Sequence, residues 1–249
     1  MNIVVGADPE EVGELAAGLV ASVIAADPAA VLGVATGSTP QPLYRALARL
    51  RLDLSRASAF ALDEYVGVPA GHPESYRSVL EREVVAPLGL DPARLHVPDG
   101  AAADPHAAAR AHEEALAAVG GAAVQILGIG SNGHIGFNEP GSPRDSRTRV
   151  VALAERTRLD NRRFFGGDLD AVPTHAISQG VATILSAREL LLVATGAGKA
   201  EAVAAALQGP IDERMPASFV REHPRVTVLL DRAAAAGLGH DLLLAGARR

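Results

Sequence analysis

The chain has 249 residues, of which 48% are apolar, and this is enough for one large α/β domain with a sizeable core rather than a disordered chain. Its net charge of −6 at pH 7 argues against nucleic acid as the main partner, because binding the phosphate backbone requires a basic face. The absence of cysteine excludes disulfides, thiolate catalysis and zinc sites with cysteine ligands, and it fits a cytoplasmic protein.

The first predicted element is a helix that begins after Asp8. Asp8 has the side chain of a good N-cap, and Pro9 at the first helical position is pre-organised for a helix. The apolar run at 15–26 continues this helix and is well short of the roughly 20 residues that span a bilayer. The acidic residues before this run are the wrong flank for a signal peptide. We therefore expect a core helix and no membrane partner.

Short apolar segments then alternate with polar or glycine-rich turns and helical stretches. The predicted strands lie at 31–35, 59–62, 124–127, 190–193 and 226–230. Alanine-rich helices are predicted between several of them, notably over 102–119 and 199–207. Apolar strands that alternate with helices are typical of a parallel sheet covered on both faces. The predicted fold is α/β, a single doubly wound, mostly parallel, Rossmann-like sheet with helices on both faces. It forms one domain over 1–249, with a mobile lid around 155–175 as a hypothesis.

The turns after these strands are the predicted site. Ligands of open α/β sheets bind beyond the carboxyl ends of the strands. The residues that follow the predicted strand ends are 36–39, 63–64, 130–139 and 195–199. Hydroxyl groups, carboxylates, a histidine and a lysine should therefore meet along one edge of the sheet.

Two of these turns are suited to an anion. The first consists of Thr36, Gly37, Ser38 and Thr39. It precedes a helix start, where backbone N–H groups and hydroxyls can bind a phosphate; the alternative is a helix capped by Ser38 or Thr39. The second turn adds Lys199, either for a single phosphate or as a solvated lysine at a helix start. It lacks the first glycine and the Ser or Thr of a P-loop, which argues against a nucleoside triphosphate.

The segment 128–133 matches the glycine pattern of a dinucleotide-binding turn. That pattern requires a helix directly after it, whereas 134–143 contain two glycines and two prolines. We therefore predict a loop, which argues against NAD. In this loop His134 and Glu139 are candidates for a proton-transfer pair, since imidazole titrates near neutrality and a carboxylate stabilises its charged form. The alternative is a histidine satisfied by backbone partners.

Other polar groups have two interpretations each. Asp63 and Glu64 offer a candidate base at a strand end, with a helix or turn cap as the alternative. The arginines at 156, 158, 162 and 163 could hold a phosphate from a lid, although a solvated helix face suits most of them. The other histidines, at 72, 96, 106, 112, 175, 223 and 240, show no close ligand spacing, so no metal site is predicted.

Taken together, these segments resemble the glucosamine-6-phosphate deaminase family. The resemblance is carried by 35–40 (ATGSTP), 62–67 (LDEYVG), 72–76 (HPESY) and the signature loop 130–140 (GSNGHIGFNEP). Further matches follow in the same order at 146–149 (SRTR), 161–165 (NRRFF) and 198–200 (GKA). The similarity covers nearly the whole chain, and the signature loop is long enough to be highly specific.

The resemblance implies conversion of glucosamine 6-phosphate and water to fructose 6-phosphate and ammonia, with no cofactor. Asp63 would be the base that moves a proton between C2 and C1 of the open-chain sugar. His134, supported by Glu139, would assist ring opening. The phosphate would be held by Ser38, Thr39, Arg163 and Lys199. The implied partner is a small amino-sugar phosphate, and both a monomer and a homo-oligomer stay open.

Asn132 departs from many members of the family, which carry Asp at this position. Asn132 can still hydrogen-bond the His134 ring but cannot stabilise an imidazolium by charge, so Glu139 would bear more of that task. Because some relatives carry Asn here, we expect activity to survive.

A second departure concerns regulation. Allosteric members bind N-acetylglucosamine 6-phosphate through residues that match Ser142 and Arg149, together with a lysine and a C-terminal tyrosine. Here the lysine position is Val151, and no tyrosine follows Tyr76. We therefore predict weak or absent activation by this ligand in initial-rate measurements. A sigmoidal rate curve that the ligand abolishes would contradict this prediction.

Two other functions fit parts of the pattern. A 6-phosphogluconolactonase-like hydrolase would share the phosphate turn and a loop histidine, but segments 63–67 and 137–140 favour the deaminase. A non-catalytic sugar-phosphate sensor would lose Asp63 or His134 and would normally carry a basic DNA-binding segment, which the acidic start of this chain does not resemble. The sequence leaves open whether the substrate is glucosamine 6-phosphate or its galactosamine epimer.

Overall fold

The computed structural model describes residues 1–69, 71–239 and 242, so His240 lies outside the described residues. The strands, numbered in chain order, are β1 (Asn2–Gly6), β2 (Val31–Val34), β3 (Ser58–Ala61), β4 (Asp63–Tyr65), β5 (Leu95–His96), β6 (Val124–Leu127), β7 (Arg149–Ala152), β8 (His175–Ser178), β9 (Leu190–Ala194) and β10 (Val226–Asp231). Seven of these strands form one parallel sheet in the order β1-β10-β9-β6-β2-β3-β5. The predicted α/β class with a mostly parallel sheet is confirmed.

Helices follow the strands as the alternation predicts. They are α1 (Pro9–Ala26), α2 (Gln41–Arg49), α3 (Tyr76–Leu80), α4 (Ala86–Leu88), α5 (Pro105–Ala118), α6 (Glu155–Asn161), α7 (Val181–Leu185) and α8 (Ala200–Gln208). A π-helical turn, Glu81–Val85, joins α3 to α4. Asp8 caps α1 as predicted, because its carboxylate accepts the backbone N–H groups of Glu10 and Glu11 at 3.0 and 2.9 Å. No helix in the described part of the chain is long and apolar enough to cross a membrane.

The core lies on both faces of the parallel sheet. Every residue of β6 and β9 is buried, and apart from Gln125 these strands consist of Val, Leu, Ile and Ala. This is the pattern expected of central parallel strands, which have no solvent-facing side. A separate, smaller apolar cluster contains Tyr65, Phe137 and Leu153. It lies next to the turns that were predicted to form the site.

A second sheet, which the sequence interpretation missed, carries one of the key carboxylates. β4, β8 and β7 form a three-stranded antiparallel sheet in which Asp63 pairs with Ser178. Leu62 is the junction between the two sheets: its N–H donates to Val34 of β2, and its carbonyl accepts from Gln179. These strands of three and four residues include Asp63, Arg149 and His175, and therefore produce no apolar run from which to predict a sheet. The small sheet places Asp63 beyond the carboxyl end of β3.

Candidate active site

A cavity of about 600 Å³ lies at the carboxyl ends of β2, β3, β6 and β9. Its lining includes residues from 36–39, Asp63, residues from 128–136 and residues from 195–199. The four turns therefore meet at one edge of the sheet, as open α/β topology requires.

The predicted site residues fall into three groups. Those that line the cavity are Thr36, Gly37, Ser38, Thr39, Asp63, His134, Arg163 and Lys199. Asn132 and Glu139 are outside the lining and contact His134 and each other. Ser142 and Arg149 are also outside the lining; they contact one another, because Arg149 Nη2 donates to Ser142 Oγ at 3.2 Å.

Asp63 is a buried carboxyl group at the cavity wall. Its residue is 6% exposed, and none of the hydrogen bonds within the described residues involves its carboxyl oxygens. Burial raises the pKa of Asp63 well above its ordinary value, and the neighbouring charge of Glu64 raises this pKa further. A carboxylate held in this way is a stronger base than a solvated one, because water and hydrogen bonds do not stabilise its charge.

Glu64, the adjacent carboxylate, has a structural role. Its oxygens accept hydrogen bonds of 2.8, 2.9 and 2.9 Å from three backbone N–H groups, those of Tyr65, Tyr76 and Arg77. Two of these donors are at the start of α3, so Glu64 caps this helix. The sequence left both carboxylates open as a base or as a cap. The structure separates them, since Glu64 is the cap and Asp63 is free of such bonds.

His134 is held against the backbone of the signature loop. A Cβ atom on Gly130 would lie 2.3 Å from His134 Cε1, so a residue with a side chain cannot replace this glycine without displacing the ring. The Gly130 N–H donates to the His134 carbonyl at 2.9 Å, which closes the loop. On the other side, His134 Nδ1 lies 3.5 Å from Glu139 Oε2. The ring is thus fixed next to a carboxylate, with part of the imidazole facing the cavity.

Asn132 contacts Glu139 rather than the imidazole. Its Nδ2 donates to Glu139 Oε2 at 2.7 Å, and its Oδ1 accepts the His134 backbone N–H at 3.2 Å. The hydrogen bonds that the structure describes do not include one from the Asn132 side chain to the His134 ring. The physical reason is that an amide N–H₂ is a donor, and the Glu139 carboxylate within its reach is a strong acceptor.

Glu139 is an ionised carboxylate in a partly buried position. Burial alone would raise its pKa, but hydrogen bonding to His134 and the charge of His134, with bonds from Thr157 and Asn132, lower the pKa of Glu139 to about 2. An aspartate at position 132 would place a second negative charge against Glu139. The amide of Asn132 instead stabilises this charge, so the pair His134–Glu139 keeps its carboxylate ionised at neutral pH.

The hydroxyl-rich turn after β2 does not cap a helix with its side chains. α2 begins at Gln41 with Pro40 as its N-cap residue and no side-chain cap bond. The capping alternative for Ser38 and Thr39 is therefore wrong, and both residues line the cavity instead. Gly37, which precedes both residues in this turn, has a φ of 93°, a conformation that favours glycine.

Lys199 is the only lysine in the sequence, and it lies in the same cavity. It ends a 3₁₀ turn, Ala197–Lys199, whose preceding Gly196 N–H donates to both carboxylate oxygens of Asp231 at 2.9 and 3.0 Å. Burial lowers the pKa of Lys199; the charge of Asp160 opposes this shift, and that of Arg163 adds to it. Neither Lys199 nor Arg163 forms an ion pair within the described residues. Two cations that form no close ion pair in the described part of the chain make this region of the cavity suited to a dianion.

The segment after β7 contributes residues that the sequence interpretation missed. Thr157, Asp160 and Asn161 of α6 line the cavity, and so do Arg82 and Glu83 of the π-helical turn. Thr157, Asp160 and Asn161 follow the spacing i, i+3, i+4, which puts them on one helix face, and this was the available signal. A solvated helix face was expected for most of the arginines at 156, 158, 162 and 163, but Arg158 does not lie on such a face. Its guanidinium donates to the carbonyls of Leu169 and Val172, because these loop carbonyls have no strand partner.

No group of three or more His, Asp or Glu side chains in the described residues is arranged to hold a metal ion. The glycine pattern at 128–133 is followed by loop rather than helix, so the dinucleotide-binding geometry is not formed there. Among the groups that line the cavity are the Asp63 carboxyl group, the His134 imidazole and the cations Lys199 and Arg163. These groups can transfer protons and bind an anion.

Comparison with known proteins agrees with this arrangement. Residues 9–229 match the family described as "Glucosamine-6-phosphate isomerases/6-phosphogluconolactonase". The chain is 54% identical to the glucosamine-6-phosphate deaminase of Streptomyces avermitilis and 53% identical to that of Streptomyces coelicolor, each over 242 residues. Both alignments cover 96% of this chain and 93% of the relative.

Solved structures extend the comparison. One described as "Structure and kinetics of a monomeric glucosamine-6-phosphate deaminase: missing link of the NagB superfamily" has a TM-score of 0.92 at 42% identity, covering 96% of this chain and 100% of that chain. The 6-phosphogluconolactonase of Trypanosoma brucei has a TM-score of 0.76 at 23% identity, covering 96% and 98%, which shows a shared fold alone. Since the family match spans most of its length, this chain belongs to the family of glucosamine-6-phosphate isomerases and 6-phosphogluconolactonases.

Proposed function

We propose that this chain is a glucosamine-6-phosphate deaminase, which converts glucosamine 6-phosphate and water to fructose 6-phosphate and ammonia. The observation that carries the proposal is the unbonded Asp63 carboxyl group, which shares one cavity with His134 and the cations Lys199 and Arg163. Relatives of that name at 54% and 53% identity support the same substrate and reaction.

Ring opening comes first, because the proton at C2 becomes acidic only beside a free C1 aldehyde. His134 moves a proton between the C1 hydroxyl and the ring oxygen. Glu139, 3.5 Å from His134 Nδ1, stabilises the charged imidazole that forms on the way.

Isomerisation and loss of ammonia follow. Asp63 removes the proton from C2 and returns it to C1, while the C1 carbonyl oxygen gains a proton and the amine nitrogen loses one, which leaves a C1 hydroxyl and an imine at C2. Water adds to this imine, and the resulting carbinolamine breaks its C–N bond to release ammonia and the ketone. Only proton transfers and the addition of one water are needed, and a carboxylate and an imidazole can perform the transfers.

Lys199 and Arg163 bind the phosphate at the other end of the cavity, with the turn from Thr36 to Thr39. Replacing Lys199 with methionine should lower kcat/KM about 100-fold, mostly through KM, because a charge-assisted hydrogen bond to a dianion is lost. Because the pKa of Lys199 is lowered, its ammonium form is lost at a lower pH than that of an ordinary lysine. The wild-type KM should therefore rise at alkaline pH, and this rise should be absent in Lys199→Met.

Initial rates between pH 6 and 10 would measure this effect. Lys199→Arg, which keeps the charge, is the matched control and should retain most of the affinity. A methionine variant with wild-type KM would contradict the phosphate role of Lys199.

The remaining parts of the proposal concern the whole chain. It acts on a small-molecule amino-sugar phosphate, not on nucleic acid, in the cytoplasm, and as a monomer or a homo-oligomer. It forms one domain over 1–249, in which the segment around 155–175 is a mobile lid. The support for the lid is that this segment contributes Arg163 and Phe164 to the cavity lining.

The direct test of function uses purified protein without added metal or nucleotide. We expect equal amounts of ammonia and fructose 6-phosphate from glucosamine 6-phosphate, measured by coupled assays. Hydrolysis of 6-phosphogluconolactone without ammonia release from the amino sugar would instead establish the lactonase alternative. Binding of the amino sugar without turnover would favour a sensor, and galactosamine 6-phosphate in parallel would define the epimer preference.

A further inference from the structure

Helix α6 contacts the proposed catalytic groups directly. Thr157 is 3% exposed, and its Oγ1 lies 3.4 Å from His134 Nδ1. At the start of the same helix, the Ala154 N–H donates to Glu139 Oε1 at 3.3 Å. One short segment therefore contacts both members of the His134–Glu139 pair.

The rest of α6 is tied to the cavity wall by two side-chain hydrogen bonds. Ser131 Oγ donates to Asp160 Oδ2 at 2.8 Å, and Asn161 Nδ2 donates to the hydroxyl of Tyr65 at 2.9 Å. The first bond holds α6 against the signature loop, and the second holds it against β4.

The direct contact between His134 and Glu139 is long. At 3.5 Å, the distance from Nδ1 to Oε2 is beyond that of a strong charge-assisted hydrogen bond, and Thr157 Oγ1 lies at a comparable 3.4 Å from the same nitrogen. A threonine hydroxyl is both a donor and an acceptor, so it can accept from Nδ1–H and donate to the carboxylate. Such a bridge holds the ring proton on Nδ1 and leaves Nε2 as the nitrogen that can exchange a proton with the sugar.

We infer that Thr157 is a positioning residue for the reaction, whose hydroxyl bridges His134 Nδ1 and the Glu139 carboxylate during turnover. The pair that opens the sugar ring is complete only when α6 is docked on the signature loop. This inference rests on the proposed role of His134. It adds a residue from a separate helix to the groups that act during turnover.

The test compares variants that differ by one hydroxyl. Thr157→Val keeps the shape of the side chain and should lower kcat about tenfold with KM changed by less than about twofold, because the bridge acts on the reaction and not on phosphate binding. Thr157→Ser keeps the hydroxyl and should stay within about threefold of the wild-type kcat.

Thr183 offers a matched control outside the cavity. It is also 3% exposed, and its Oγ1 donates to a carboxylate, Glu113 Oε2, at 2.8 Å. Thr183→Val removes a comparable buried bond and should lower the melting temperature without changing kcat. If Thr157→Val does not fold, Thr157→Ala serves the same comparison.

Three results would overturn the inference. They are a wild-type kcat in Thr157→Val, an equal loss of kcat in Thr157→Ser and Thr157→Val, and a loss of kcat in Thr183→Val equal to that in Thr157→Val. A wild-type protein that releases no ammonia would instead refute the proposed function itself. The two failures are therefore distinguishable.

Discussion

Replacing Asp63 with asparagine is expected to lower kcat about 10⁴-fold, because an amide cannot accept the C2 proton that this carboxylate removes. Asp63 is 6% exposed, and its carboxyl group has no hydrogen-bond partner among the described residues, so the substitution removes no side-chain hydrogen bond seen there. The protein should therefore fold normally and still bind the phosphosugar. The loss should appear in the rate of ammonia release at saturating substrate.

A permanently open-chain analogue separates chemistry from binding. The alditol 2-amino-2-deoxyglucitol 6-phosphate carries the phosphate and amine but cannot isomerise, and its affinity should be similar for the wild type and for Asp63→Asn. Glu64→Gln is the matched control, because it alters the neighbouring carboxylate, which caps α3. It should lower the melting temperature with little effect on kcat. If Glu64→Gln lost more activity than Asp63→Asn, the assignment of the base would be wrong.

The raised pKa of Asp63 also fixes the sign of the pH dependence. The group acts as a base only when it is ionised, and burial shifts its pKa upward. As pH falls through this raised pKa, the active form is lost. The acid limb of the kcat profile should therefore lie at a higher pH than the value near 3.9 of an ordinary aspartate would give.

Replacing His134 with asparagine should lower kcat about 10³-fold, because the sugar must then open its ring without a proton-transfer group. The phosphate-binding residues Lys199 and Arg163 are untouched, so KM should change little. Steady-state rates with glucosamine 6-phosphate measure both quantities.

Binding of the open-chain alditol phosphate distinguishes a role of His134 in ring opening from a role in holding the substrate. Because the analogue needs no ring opening, His134→Asn should bind it about as well as the wild type does. His106, an exposed residue of α5, provides the control substitution His106→Asn, which should have no effect. Equal loss of analogue binding and of turnover would show that His134 holds the substrate rather than opening its ring.

The main sheet was predictable because its strands are apolar on both faces. Segments such as 190–193 contain nothing but Leu and Val, and only a doubly covered parallel strand buries such a run. The small antiparallel sheet was not predictable in this way. β4 consists of Asp63, Glu64 and Tyr65, and its burial arises from pairing with β8 and from the cap of α3, which are tertiary contacts.

The site was predictable to the extent that topology defines it. Strand ends brought Asp63, His134 and Lys199 to one edge, since parallel strands end on the same side. The orientation of Asn132 toward Glu139 and the position of Thr157 were not predictable. Thr157 lies 23 residues from His134 along the chain, and their contact exists only because α6 folds back onto the signature loop.

In the proposed mechanism one buried carboxylate, Asp63, carries a proton from C2 to C1. The most direct test supplies glucosamine 6-phosphate labelled with deuterium at C2 and locates the label in the product by NMR. We expect fructose 6-phosphate with deuterium at one of the two C1 positions, because a shielded carboxylate returns part of the label before it exchanges with water. An aldose product that keeps deuterium at C2, or fructose 6-phosphate with deuterium equally at both C1 positions, would contradict this role of Asp63.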